Sequence, residues 1–396
     1  MKLHRTLYLN ECAIVCALGE SHAGIRRRLF AGEAGVLPTD AWTPGRELPL
    51  GRVLASLPEG GLALPQRSRN NQLALAALAQ IRAAVDAAVA RYGAGRIGIV
   101  IGTSTSGIAE TESALRAHAA GAGLPAAFHY AQQEMGSPAA MLAQTLGVHG
   151  PAYVHSSACA SGAKAMASAA RMINMGLCDA VLTGGVDTLC QFTVAGFSAL
   201  ESVSAQRCNP LSANRKGINI GEGAALFLMT REPAAVALCG WGEASDGHHM
   251  SAPDPAGSGA RLAIGAALQR AGVVPQQIDY INLHGTATVQ NDAMESRVVH
   301  DIFGAGVPVS STKPFTGHTL GAAAAIEAGL CWLAMQDDNP EGVLPPHLWD
   351  GAADPALPAL NVAAVGMRLG RPLNWALSNS FAFGGSNATL VLGRGR

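Results

Sequence analysis

Apolar residues recur every three or four positions between residues 69 and 91, the spacing of one face of an α-helix. They are Leu75, Leu78, Ile81, Val85 and Val89. Ser68 precedes this segment and is of a type that caps helices, while Gly93 follows it and is of a type that ends them. The pattern therefore predicts a helix over residues 69–91.

Short continuous apolar runs alternate with further helical segments along the chain. The runs that predict buried strands cover residues 97–101, 152–156, 180–183, 278–283, 307–311, 375–378 and 388–392. The additional predicted helices cover residues 160–175, 259–271 and 319–335. This alternation is typical of the α/β class, and we expect mainly parallel sheets. The Pro- and Asp-rich residues 337–354 are predicted to form a surface excursion.

Two short internal similarities indicate that the chain consists of two similar halves. The glycine turn and apolar strand of residues 221–228 resemble those of residues 385–392. The strand that ends at Gly102 similarly resembles the one that ends at Gly285. Because the segment 231–233 lies between the two sets, we predict an N-terminal half over residues 1–232 and a C-terminal half over 233–396.

Composition narrows the classes of function. Only 14% of the 396 residues are charged and the net charge is −1, which argues against binding nucleic acid by bulk charge and favours self-association. No uncharged apolar run reaches the ~18 residues of a membrane span, and no signal peptide is evident. The eight cysteines lie mostly in apolar runs, as core thiols of a reducing compartment do. We therefore predict a cytoplasmic protein, without a metal site.

Cys159 has the sequence context of a nucleophile. A predicted buried strand enters the segment Ser157-Ala158-Cys159-Ala160-Ser161-Gly162, and a predicted helix of small residues leaves it. A thiol at the start of a helix faces unpaired amides and the positive end of the helix dipole, which lowers its pKa. The alternative interpretation is a buried structural cysteine, and the local pattern alone leaves both open.

Two histidines follow predicted buried strands in the same way. His284 lies in Asn282-Leu283-His284-Gly285-Thr286-Ala287-Thr288, and His318 ends the segment that begins at Ser310. Since active sites gather at the carboxyl edge of parallel sheets, we expect Cys159, His284 and His318 to lie on one edge. The alternative is that each histidine only satisfies backbone groups in a core.

A second glycine turn lies between the last two predicted strands, at residues 379–387. One interpretation is a simple hairpin connection. The other is a loop whose amides stabilise an oxyanion.

These segments together resemble the beta-ketoacyl carrier-protein synthases, the condensing enzymes of fatty-acid and polyketide synthesis in the thiolase superfamily. The resemblance covers nearly the whole chain, and the two histidines are similar to those of the elongating branch. The matching motifs are residues 157–162, 284–288, 313–318 and 381–385. The residues around 185–222 look most like ketosynthases of secondary-metabolite clusters such as those for aryl polyenes.

The resemblance implies a fold, a reaction and roles for residues. The fold is thiolase-like, with two similar halves in five αβαβα layers, usually as a homodimer. The reaction is decarboxylative condensation of an acyl chain on Cys159 with malonyl carrier protein, without a cofactor other than the carrier's phosphopantetheine. The implied catalytic residues are Cys159, His284 and His318, with Lys313 and Glu327 supporting the second histidine. The amides of Cys159 and Phe383 would hold the oxyanion, and Phe383 would be the gate. The implied substrate-binding residues are Thr286 and Thr288 on the pantetheine arm, Ile108 at the acyl tunnel, and Phe381, Gly384 and Gly385.

The chain departs from the family pattern at one charged position. The family often has Arg-Asp-Gly-Phe where this chain has Arg215-Lys216-Gly217-Ile218. Other interpretations of the whole are a ketosynthase subunit that acts only as a heterodimer with a non-catalytic chain-length partner, a hydrolase using Cys159 and His284, and a coenzyme A thiolase. The partner subunits lack the nucleophilic cysteine, and a hydrolase does not explain His318 or Lys313.

Overall fold

The computed structural model describes residues 6–58 and 61–395. Its strands are β1 Leu7–Val15, β2 Leu37–Thr39, β3 Leu48–Leu50, β4 Ile97–Gly102, β5 Ala152–His155, β6 Ala180–Asp187, β7 Gly223–Thr230, β8 Val236–Ser245, β9 Tyr280–Asn282, β10 Pro308–Ser310, β11 Asn361–Val362, β12 Trp375–Ala382 and β13 Ser386–Arg394. Its α-helices are α1 His22–Phe30, α2 Arg69–Tyr92, α3 Ile108–Ala117, α4 Ser137–Leu146, α5 Ser161–Asn174, α6 Gln191–Ala199, α7 Ser258–Ala271, α8 Val289–Phe303, α9 Lys313–Thr316 and α10 Ala323–Ala334. All of the predicted strands and helices are present, with small shifts at their ends.

Eleven strands form one sheet in the order β11-β10-β9-β12-β13-β8-β1-β7-β6-β4-β5. The sheet is mixed, so the expectation of mainly parallel sheets is wrong. The outer strands pair in parallel, as in β4–β5 and β9–β10, whereas the central strands from β6 to β12 pair antiparallel. The physical reason is connectivity, because the short turn between β12 and β13 can only join antiparallel neighbours.

The sheet repeats the same strand arrangement on both sides of its middle. On one side β5, β4, β6, β7 and β1 follow one another, and on the other side β10, β9, β12, β13 and β8 do so. The segments whose sequences resemble each other occupy equivalent places, since β7 matches β13 and β4 matches β9. The division of the chain at residue 232 itself stays a prediction.

Three hydrophobic clusters define five layers. Residues of α2 and α4 pack on the N-terminal strands, and residues of α7 and α8 pack on the C-terminal strands. Between the two half-sheets lie α5 and α10, whose residues form the largest cluster together with strands of both halves. Every residue of α10 is buried. The α/β, five-layer arrangement expected from the resemblance is therefore confirmed.

Helix α2 shows how the local sequence determines an element. The Ser68 side chain accepts a hydrogen bond from the amide of Asn71, and Gly93 ends the helix with a positive φ of 85°. By length and composition α2 could cross a membrane, a test that buried core helices also pass. Its apolar face packs on the sheet, and Arg82 and Asp86 form an ion pair on its outer face.

Two segments differ from their predicted form. The helix expected over residues 319–335 begins with a 3-10 turn at Leu320–Ala322 before α10 starts. The residues 337–354 are not simply a surface excursion, because Leu344 and His347 are buried. The ring of His347 accepts a hydrogen bond from the amide of Ser311 at 3.0 Å, which ties this segment to the end of β10.

Candidate active site

A tight turn between β5 and α5 carries Cys159. Ala158 has a positive φ of 46°, an uncommon conformation for a non-glycine residue, and directs the chain sharply into the helix. The Ser161 hydroxyl holds this turn by accepting from the amide of Ser157 at 2.8 Å and donating to the Ala158 carbonyl at 2.6 Å. Cys159 is 5% exposed, so its sulfur lies at the end of an enclosed space.

Gly162 lets the nucleophile helix approach the helix that follows His318. A Cβ at position 162 would lie 2.9 Å from the amide nitrogen of Ala325 on α10, closer than real Cβ contacts allow. The absence of a side chain thus brings α5 against α10. This contact joins the N-terminal and C-terminal halves directly behind Cys159.

The two histidines come from the C-terminal half. His284 follows β9. His318 lies between α9 and α10, which follow β10 in the chain, and β10 pairs in parallel with β9. The expectation that all three residues lie on one carboxyl edge of the sheet needs correction, because the antiparallel pairings from β6 to β12 leave β5 and β9 running in opposite directions. The three side chains meet because the halves face each other across α5 and α10.

The side chains of Cys159, His284 and His318 lie close to one another. Nε2 of His318 lies 3.0 Å from Sγ of Cys159. The rings of His284 and His318 are perpendicular, with their centroids 5.5 Å apart. All three side chains are buried.

Hydrogen bonds fix the tautomers of both histidines. Nδ1 of His318 accepts from the amide of Leu320 at 3.2 Å, and Nδ1 of His284 faces the ammonium of Lys313 at 3.4 Å. Because a neutral imidazole carries one proton, both rings then carry it on Nε2. Burial first, and then the Lys313 ammonium, lower the pKa of both histidines well below their ordinary value. The site therefore offers two neutral N–H donors.

Lys313 and Glu327 form a buried ion pair, with 1% and 2% of their side chains exposed. The resemblance implies that this pair supports the second histidine, but Lys313 Nζ contacts the ring of the first, His284. The reason is that α9 is only one turn long, so Lys313 at its start lies against the loop that follows β9. Burial raises the pKa of Glu327, and the neighbouring Lys313 opposes that rise.

The environment of the Cys159 thiol differs from the sequence-based expectation of a lowered pKa. Burial raises the pKa of Cys159 to about 11, while the Lys313 ammonium and the Phe383 amide act to lower it. Desolvation thus outweighs the electrostatic help around the sulfur. The resting thiol is protonated at neutral pH.

Two buried carboxylates hold the site together, and the sequence analysis missed both. Glu295 on α8 accepts the amides of His284 at 2.8 Å and Gly285 at 2.7 Å, and burial raises its pKa to about 7. Asp187 accepts the amide of Gly321 at 2.6 Å, just after His318, and also binds the loop after β4. The predicted strand over residues 180–183 stops short of Asp187, and no helix is predicted around Glu295, so no predicted element drew attention to either acid.

A cavity of about 510 Å³ leads from the surface to the three central residues. The expected residues Thr286, Thr288, Phe381 and Phe383 line it. The hydroxyls of Thr286 and Thr288 lie 2.9 Å apart, and the Phe381 ring packs against that of His284. Ile108, at the start of α3, is not among the described residues that line this cavity.

The glycine turn after β12 is a hairpin connection, and it also reaches the nucleophile. The strands β12 and β13 pair antiparallel on either side of it, and the Phe383 amide hydrogen-bonds the Cys159 sulfur. Gly384 and Gly385 both have positive φ, and the Phe383 ring contacts that of Phe197 at 5.6 Å. The hairpin interpretation is therefore confirmed, and the binding of an oxyanion by the amides of this turn stays a prediction.

One ligand atom from each of Cys159, His284 and His318 lies within 4.8 Å of the others, a spacing at which a metal ion could be held. The donor set fits such an ion poorly. Both histidines present N–H groups rather than lone pairs, and the buried Lys313 would repel a cation. The arrangement suits a negatively charged oxygen, and a site without a metal stays a prediction.

Comparison with known proteins gives consistent matches. The family model described as "Beta-ketoacyl synthase, N-terminal domain" matches residues 65–235, and "Beta-ketoacyl synthase, C-terminal domain" matches residues 235–348. Nodulation protein E of Rhizobium meliloti is 31% identical over 98% of this chain and 99% of its own length. The 3-oxoacyl-acyl-carrier-protein synthase 2 of the same organism is 36% identical over 62% of each chain.

Solved structures show the same similarity. The ketosynthase ApeO of Xenorhabdus doucetiae, in complex with its chain length factor ApeC, is represented by a chain that is 44% identical with a TM-score of 0.93. The match covers 100% of this chain and 99% of that one. The ishigamide ketosynthase/chain length factor gives 26% identity and a TM-score of 0.87 over 99% of both chains.

Proposed function

The chain belongs to the beta-ketoacyl synthase family of condensing acyltransferases, and on this premise we propose that Cys159, His284 and His318 condense an acyl chain with malonyl carrier protein. Cys159 accepts the acyl chain, and the two histidines bind the thioester oxygen of the malonyl unit. The observation that supports this most strongly is the pair of neutral Nε2–H donors next to the buried thiol.

The first half-reaction is acyl transfer. The Cys159 sulfur forms a bond to the acyl carbonyl carbon, and the bond from that carbon to the pantetheine sulfur breaks. The proton of the Cys159 thiol ends on the departing pantetheine thiol. The amides of Cys159 and Phe383, which surround the sulfur, bind the carbonyl oxygen while it carries negative charge.

The second half-reaction begins with loss of carbon dioxide from the malonyl thioester. The electron pair of the broken carbon–carbon bond forms an enolate, whose oxygen accepts hydrogen bonds from His284 and His318. The enolate carbon then forms a bond to the acyl carbon, and the bond from that carbon to the Cys159 sulfur breaks. The Cys159 thiolate takes up one proton from solvent to regenerate the thiol. Each histidine donor contributes about 3 kcal/mol, by comparison with the loss of an oxyanion-hole donor.

Lys313 keeps His284 in the donor tautomer, and Glu327 balances the charge of Lys313. Thr286 and Thr288 bind the amides of the pantetheine arm, and Phe383 moves with its glycines to admit the malonyl unit after acylation. Phe381, Gly384 and Gly385 shape the gate around it. Ile108 remains the proposed tunnel position, beyond the cavity that leads to Cys159. No cofactor other than the carrier's phosphopantetheine is required.

We propose that the protein works in the cytoplasm as a dimer, with a second copy or with a related non-catalytic chain that limits product length. The 44% identical ketosynthase in complex with its chain length factor supports the heterodimer and a polyketide or polyene product. The outermost strand β5 has one unpaired edge and exposes Tyr153, which a partner could cover. Light scattering of the isolated chain is expected to give the mass of a dimer. If it gives the mass of a monomer, the homodimer is wrong and the heterodimer is the remaining assembly.

The chemical roles are tested by measuring carbon dioxide release and acyl-enzyme mass for three variants. Cys159→Gln should lose acylation and condensation but keep decarboxylation, because its amide resembles an acylated cysteine. His284→Ala and His318→Ala should each lose roughly 100-fold in decarboxylation. His149→Ala is the control, since this exposed histidine lies outside the cavity.

The same measurements separate the alternatives. A hydrolase would lose acylation in His284→Ala and would be little affected by His318→Ala. A non-catalytic subunit would not be acylated at all. If folded Cys159→Gln releases no carbon dioxide, or His318→Ala keeps full condensation, the proposed roles are wrong.

A further inference from the structure

One charged residue of the cavity has no part in the reaction described above. Lys216 lines the cavity and is exposed, whereas Cys159 at the inner end is buried. Within residues 6–58 and 61–395, its ammonium has no hydrogen bond or ion pair in the protein. Lys216 therefore marks the outer rim of the cavity and is available to a ligand.

The backbone holds Lys216 next to the loop that carries Thr286 and Thr288. The amide of Gly217 donates to the carbonyl of Ala287 at 2.8 Å, between Thr286 and Thr288. Gly217 has a φ of 108°, and a Cβ there would lie 2.2 Å from the Ser202 carbonyl oxygen, so glycine is required for this approach. An arm that passes Thr286 and Thr288 on its way out consequently passes Lys216.

A second exposed donor lines the same cavity. His249 is exposed and lines the cavity, and its Nδ1 accepts from the amide of Ser251 at 3.1 Å. Its other nitrogen, Nε2, therefore carries the proton and can donate to a ligand. Glu201 is the acidic residue among the described cavity-lining residues, and it forms no ion pair with Lys216.

We propose that Lys216 and His249 form a subsite for the phosphate of the carrier's phosphopantetheine arm. The inference rests on the proposed function, which places the sulfur end of the arm at Cys159. The opposite end carries the phosphate that joins the arm to the carrier, a diester with one negative charge, and has to leave through the rim. An ammonium at this point attracts the negatively charged phosphate.

The experiment compares two small thioesters with the same acyl group, acyl-phosphopantetheine and acyl-pantetheine, as donors to Cys159. For the unaltered protein, kcat/KM should be roughly fivefold higher with the phosphorylated donor, the upper range for an exposed ion pair. In Lys216→Gln this ratio should fall to about one, and in Lys216→Asp below one. Lys216→Arg should retain it.

Arg368→Gln provides a matched control, because Arg368 is also an exposed cation but does not line the cavity. An undiminished ratio in Lys216→Gln overturns the phosphate subsite. A loss that occurs only with the complete acyl carrier protein also overturns it, since the contact would then be an acidic side chain of the carrier. If the unaltered protein is acylated by none of these thioesters, the proposed function itself has failed.

Discussion

The buried pair of Lys313 and Glu327 allows the structural and chemical roles of one residue to be separated. In Lys313→Met the ammonium is replaced by an apolar chain of similar length. Glu327 then loses its partner in a site where both side chains are at most 2% exposed. His284 simultaneously loses the group that faces its Nδ1 at 3.4 Å.

The two losses have different sizes. Removing one partner of a buried ion pair lowers the free energy of unfolding by about 3–5 kcal/mol. Losing a hydrogen bond from a charged group to His284 costs about 1.5–3 kcal/mol, which corresponds to roughly 10- to 100-fold in decarboxylation. Lys313 also lowers the pKa of His284, so its removal should shift the acid limb of the pH–rate profile to higher pH.

A double variant distinguishes these effects. Lys313→Met with Glu327→Leu replaces the whole pair by apolar side chains, which is often neutral or stabilising. We expect its unfolding free energy to recover toward that of the unaltered protein while decarboxylation stays low. The measurements are urea unfolding and carbon dioxide release from malonyl carrier protein across pH. Full decarboxylation in the double variant would refute the role of Lys313 as the group that orients His284.

Three further outcomes are expected. Phe383→Ala should allow malonyl decarboxylation before acyl loading, and unchanged rates of both steps would contradict the gate. Burial raises the pKa of Glu295 to about 7 from its ordinary value of 4.5, so the folded state keeps a proton that the unfolded chain has released between these pH values. Stability should therefore fall by about 3 kcal/mol as pH rises through this window, and urea unfolding of Glu295→Gln should not show that slope. Gly162→Val should destabilise the protein by about 1–3 kcal/mol through the clash with Ala325, whereas equal melting temperatures would show that α5 and α10 can separate freely.

Motifs and local patterns were sufficient to predict the central residues and most elements. Each of Cys159, His284 and His318 follows a segment that the sequence predicts as a buried strand. The internal similarity between residues 221–228 and 385–392 also indicated equivalent strands, which the sheet order confirms. These features depend on neighbours in the chain, so local sequence carries them.

Other features depend on packing between distant segments. The single turn of α9 places Lys313 on His284, although His318 is much nearer in sequence. Desolvation of Cys159 arises from both halves of the fold, so the helix-start context gave the wrong direction for its pKa. The role of Glu295 follows from its contacts with the His284 loop, which its neighbours in the sequence do not indicate.

The origin of the site in two halves has a consequence during synthesis on the ribosome. His318 emerges 159 residues after Cys159. At roughly 5–20 residues per second, the nascent chain exposes the cysteine for about 8–30 s before its partner exists. During that interval neither histidine nor the Lys313 ammonium lies beside the thiol. The donors proposed to bind the enolate oxygen come only with the second half, so an incomplete nascent chain cannot carry out the decarboxylative condensation.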